Sequence, residues 1–83
     1  MTEPVELRAL AWRCRRGMRE LDVLLSGWLR SEYPGANRDE KAAFERLLEL
    51  QDPEIFGLLT GRLASADPSI EAIVCLLRRT AQQ

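Results

Sequence analysis

Trp12-Arg13-Cys14-Arg15-Arg16-Gly17-Met18-Arg19-Glu20-Leu21-Asp22 is the stretch on which the fold turns. From Arg8 to Arg19 the chain carries five arginines and no acid, and then Glu20 and Asp22 arrive together. The apolar phase Cys14, Met18, Leu21, Leu25, Trp28 advances in three- and four-residue steps, so periodicity alone permits one long helix. Gly17 opposes that reading, because glycine inside a helix costs about 1 kcal/mol relative to alanine. The stretch is therefore read as two helices meeting near residues 16–20.

Working outward, the first helix is expected to start near Pro4, with Glu3 and Glu6 beside its positive end. Leu7, Leu10 (or Ala11), Cys14 and Met18 form its inward stripe. Trp12 lies off that stripe and shares a face with Arg8, Arg15, Arg16 and Arg19 on an i, i+3, i+4 count. Such a tryptophan is a cation–π shelf for the arginines, a contact anchor for a partner, or a packed side chain against a neighbouring helix. The second helix is expected to bury Leu21, Leu24, Leu25, Trp28 and Leu29 and to stop at Tyr33-Pro34-Gly35.

Asn37 with Glu40 three residues on is a capping-box start for a third helix, whose apolar face is Ala43, Phe44, Leu47 and Leu48. Asp52-Pro53-Glu54 starts a fourth: the aspartate caps, proline occupies the first turn and glutamate faces the dipole's positive end. Ile55, Phe56, Leu58 and Leu59 follow, and Gly61 ends it. Asp67-Pro68-Ser69 repeats the start signal before Ile70, Ile73, Val74 and Leu77, a regular helical stripe closed by Arg78 and Arg79. Nothing alternates with period two for long enough to make a strand. The expectation is an all-α bundle of about five short helices, in a single domain spanning residues 1–83.

With 83 residues the core is modest. A hydrophobic share of 46% against 30% charged residues fits a folded chain. The net charge of −1 suits a general nucleic-acid binder poorly. Charge is uneven, since residues 39–54 hold six acids against Lys41 and Arg46. All basic residues except Lys41 are arginine, whose planar fork matches carboxylates and carbonyls in a way lysine does not. The N-terminal residues lack a charged segment followed by an apolar one, so no signal peptide is read, and no apolar run reaches the roughly 20 residues of a membrane span. A monomeric protein is expected, either cytoplasmic and bacterial in style or already processed.

No histidine is present, which removes histidine bases and the usual zinc ligand sets. Phosphate-binding glycine loops are missing too. The acid pairs Asp39/Glu40 and Glu20/Asp22 read as helix-end and surface charges. Cys14 and Cys75 read as buried or half-buried reduced thiols. Cys14, though flanked by Arg13 and Arg15, falls on the inward stripe and is expected to be inert. Recognition remains: an arginine and tryptophan face broken by a residue without a side chain. On spacing alone, Arg16 and Glu20 make an exposed i, i+4 ion pair.

The same run contains Arg-Gly-x-x-Glu and resembles the signature of the succinate dehydrogenase FAD assembly factors, the flavinators. Phe44-Glu45-Arg46-Leu47-Leu48, Asp52-Pro53-Glu54-Ile55-Phe56 and the tail after Asp67 are similar to that family's later segments in order and spacing. The resemblance implies a five-helix fold without catalysis or a cofactor of its own. It further implies binding to the flavoprotein subunit of succinate dehydrogenase, or of fumarate reductase, and promotion of covalent FAD attachment to a histidine there. Carried over by position, the signature residues are Arg16, Gly17 and Glu20, with Arg15, Met18, Asp22 and Trp12 as further partner-binding candidates. Ala9 stands where relatives often have arginine, and Gln51 where a second acid is common. The rival reading is a nucleic-acid-binding or antitoxin-like helical module that uses the arginine face.

Overall fold

The computed structural model describes residues 5–81. Five α-helices and one 3₁₀ turn follow one another: α1 (Val5–Arg13), α2 (Arg19–Ser31), the 3₁₀ turn (Tyr33–Gly35), α3 (Arg38–Leu47), α4 (Asp52–Thr60) and α5 (Pro68–Ala81). No strand occurs among the described residues. The expected start at Glu3 and Pro4 lies outside them, as does the Glu6 side chain.

The break at Gly17 is real, and backbone geometry accounts for it. Gly17 has φ of +88°, a left-handed conformation that L side chains rarely adopt, so no helix can pass through it. α1 ends with the Cys14 amide shared between the Leu10 and Ala11 carbonyls. α2 starts after Met18, which is extended and offers no side-chain cap. Gly61, at φ of +83°, ends α4 in the same left-handed conformation.

α3 begins with the anticipated reciprocal cap, Asn37 Oδ1 accepting from the Glu40 amide and Glu40 Oε1 accepting from the Asn37 amide. The start of α4 differs from expectation. Gln51 occupies the cap position and pairs reciprocally with Glu54, while Asp52 is already helical. Its carboxylate turns to Arg16 instead of capping. At α5, Asp67 does cap, accepting the Ser69 amide at 2.9 Å.

The inward stripes meet in one core. Leu10, Cys14, Leu21, Leu25, Phe44, Leu47, Ile55, Ile73 and Leu77 are buried, and α3 and α5 pack most extensively on each other. Trp28 stacks on Phe44 with centroids 4.7 Å apart, and Tyr33 meets both rings, which locks the turn after α2 onto α3. Tyr33 also donates to Glu45 at 2.9 Å. Two core expectations need correction. Leu24 is only half-buried, since it sits at the margin of α2's inward face. Cys75 is exposed, because the α5 stripe of Ile70, Ile73, Val74 and Leu77 turns position 75 outward.

Candidate functional site

The corner between α1 and α2 holds the sequence-selected residues, and the structure divides them into two groups. Arg16, Met18 and Asp22 face the protein, while Trp12, Arg15, Gly17 and Glu20 face solvent.

Arg16 departs furthest from the sequence reading. The i, i+4 pair with Glu20 does not form, because residue 16 lies beyond the end of α1 and before α2. The guanidinium crosses instead to the turn between α3 and α4. Its Nε donates to Asp52 Oδ1 at 2.7 Å, its Nη1 to the Leu48 carbonyl at 2.8 Å, and its Nη2 to the Leu50 carbonyl. Nη1 also reaches the Arg13 carbonyl at 3.2 Å. The side chain is 16% exposed. The carbonyls of Leu48 and Leu50 lie beyond the last turn of α3, where helix geometry leaves acceptors unsatisfied. A planar fork with several donors answers all of them at once, which an ammonium could not do in one geometry. Arg16 is therefore the tie that holds the corner to the rest of the bundle.

Asp22 finishes that tie from the other side. One turn into α2, its Oδ1 reaches back across Gly17 and accepts the Arg16 amide at 2.7 Å, which fixes the backbone on the far side of the notch. An acid there also suits the positive end of α2. Met18 is partly buried and packs on the core, so only part of it remains available to a partner.

Gly17 stands between these fixed residues with nothing around it. A Cβ added there would meet no atom within 4 Å. The notch is open to solvent, and glycine is required by the backbone, not by crowding within the chain. The Glu20 side chain is exposed, and its carboxylate makes no hydrogen bond or ion pair among the described residues. Trp12 is 71% exposed, and the Arg15 guanidinium lies 5.3 Å from its ring centroid. Of the three readings of Trp12, the packed one is excluded; the shelf is present, and its outer face is free.

The arginine run does not form one face. Arg16 is turned inward, and Arg13 donates to the Glu45 carbonyl at 3.2 Å. Arg8, Arg15 and Arg19 remain exposed. This division weakens the nucleic-acid reading, which needs the arginines together.

Cys14 is fully buried beside this corner. Burial pushes its thiol up to about 11, against the smaller lowering effects of Arg16 and Arg13. A nucleophilic role is thereby disfavoured. No group of histidine, cysteine or acidic side chains among the described residues is arranged to hold a metal ion, and no described helix is long and apolar enough to cross a membrane.

Comparison with known proteins converges on one family. Residues 8–81 match a family model described as flavinator of succinate dehydrogenase. A protein of Methylococcus capsulatus named FAD assembly factor SdhE is 45% identical over 69 residues, covering 83% of each chain. Proteins of the same name from Pseudomonas putida and Shewanella oneidensis are 39% and 37% identical, and each comparison covers more than nine-tenths of both chains.

Proposed function

This chain belongs to the succinate dehydrogenase flavinator family, and from that premise we propose that it promotes covalent attachment of FAD to the flavoprotein subunit of succinate dehydrogenase. The flavoprotein subunit of fumarate reductase is the natural second client. The role is that of an assembly factor: the FAD belongs to the client, and the histidine that becomes attached to flavin is the client's own.

The observation that carries this reading is the open notch at Gly17, flanked by the free carboxylate of Glu20 and the exposed Trp12. The corner brings a bare backbone, one unpaired acid and one large aromatic surface to solvent. A partner can approach the chain closely there and still find polar and apolar anchors, the mixture typical of interface hot spots. Arg16 and Asp22 serve the interface from behind by fixing the corner's geometry, so that docking orders little of the factor itself. Held in this way, the client's FAD domain would present histidine and flavin in reacting orientation. Orientation of this kind is itself a large rate factor.

The test uses Gly17→Asn and Glu20→Ala. Asparagine tolerates positive φ better than other side chains, so it fills the notch with limited strain. Each variant is checked for folding by circular dichroism and then supplied to cells lacking the factor. Covalent flavin on the dehydrogenase subunit is read by in-gel fluorescence. A loss of tenfold or more with folded variants is expected; wild-type flavinylation with both would remove the notch from the mechanism.

A further inference from the structure

Where α1 runs beside α2 and the 3₁₀ turn, a groove opens that the Gly17 corner does not include. Its floor is apolar: Leu29 is buried, and Leu7 and Ala11 pack against the core. Around it stand Arg8, Arg15 and Arg30, with Trp12 at the rim and no acidic side chain among the described residues that line it. None of the three guanidiniums is paired with a carboxylate among the described residues. Among the described residues, three like charges around an apolar slot lack the counter-charge that would complete them.

We infer that this groove receives an acidic segment of the client flavoprotein subunit, in which carboxylates flank one apolar or aromatic side chain. The inference rests on the client assignment above and adds a second contact region to it. Charge complementarity selects the carboxylates, since each arginine offers a bidentate fork. The apolar floor and the free face of Trp12 select the side chain between them. An extended polyanion such as nucleic acid fits less well. The groove is flanked by α1, whose nine residues are only about 13 Å long. Arg15 and Trp12 border both the groove and the corner, so one client surface can cover the two together.

The experiment measures affinity for the purified apo-flavoprotein subunit by biolayer interferometry, comparing wild type with R8E/R30E, R8Q/R30Q and G17N. R8Q/R30Q guards against misfolding of the charge-reversed form. At low salt, R8E/R30E is expected to bind at least tenfold more weakly and R8Q/R30Q severalfold, with both differences shrinking as salt screens the arginines. In parallel, a blocked pentapeptide of four acids around a central phenylalanine is titrated against the factor. Trp28 is buried, so a change in tryptophan emission reports Trp12. That change is expected with the acidic peptide and not with its amide counterpart. Unchanged affinity in both folded double variants would overturn the groove proposal; if G17N still weakens binding, the notch reading survives alone. Wild-type affinity in every variant would remove both. Emission that responds to a short DNA duplex and not to the acidic peptide would also overturn the proposal.

Discussion

The Arg16 Nε–H donates to Asp52 Oδ1 at 2.7 Å, joining residues 36 positions apart. The contact binds a signature residue of the corner to the first turn of α4, and it recasts what substitution of that residue measures. Arg16→Ala would leave three carbonyls, of Arg13, Leu48 and Leu50, and a partly buried carboxylate without their shared donor. Hydrogen bonds to charged groups contribute about 1.5–3 kcal/mol each in net terms, and members of one cluster do not add fully. A loss of roughly 3 kcal/mol in urea unfolding is expected for R16A. Asp52→Asn, which keeps the shape and removes only the charge, should cost about 1 kcal/mol. If R16A unfolds at the wild-type urea midpoint, the tie contributes nothing to stability.

At Gly17 the strain of a side chain can be separated from its bulk. No atom lies within 4 Å of an added Cβ, so Gly17→Ala meets no clash and suffers only from the positive φ. Its expected cost is about 1–2 kcal/mol, and asparagine should cost less. Thermal unfolding of the two variants checks the order, and a larger loss for asparagine would contradict it.

The two thiols should differ sharply. Cys75 is exposed and Cys14 is buried, with its thiol pushed up to about 11 from an ordinary 9.0. In native protein near pH 8, a disulfide reagent such as DTNB should titrate one thiol quickly and the second only after denaturant. The sign for stability follows from the same shift. Below 9.0 the thiol is neutral whether folded or unfolded; above it, the unfolded chain ionises first and stability falls until about 11. Cys14→Ala should lessen that alkaline loss, and an unaltered profile would count against burial as its source.

Asp67 supplies an acid-side counterpart. The Ser69 amide, and with it Arg46, holds the Asp67 carboxyl below its ordinary 3.8. A depressed folded value favours the native state above the unfolded value, and that contribution disappears as pH falls through the folded one. Asp67→Asn should therefore flatten the decline in unfolding midpoint below about pH 4, while leaving the helix capped through its side-chain oxygen. An equal decline in both proteins would rule this out.

The helices were legible in the sequence because their signals are local. Asn37 with Glu40, the stripe from Ile70 to Leu77, and the breakers at Gly17, Pro34 and Gly61 each act within a turn or two of where they stand. Two of the misreadings share one tertiary cause. Asp52 looked like a cap and Arg16 looked like half of a surface pair, and in the folded chain each is occupied by the other. Periodicity carried the helical count past Arg13, although Gly17 had already signalled that the count must fail. One clue did bear on Arg16: the carbonyls after α3 need donors, and the short segment to Asp52 offers few. The openness of the notch, and the groove lined by Arg8 and Arg30, depend on how α1 lies against α2. Spacing within either helix does not report that angle.

The tie from Arg16 to Leu48, Leu50 and Asp52 means that the N-terminal third of the chain completes its shape only with help from the middle third. A ribosome must have released the chain beyond Asp52 before the recognition corner can close. Prematurely terminated copies would then be silent bystanders, unable to occupy a client in place of the finished factor.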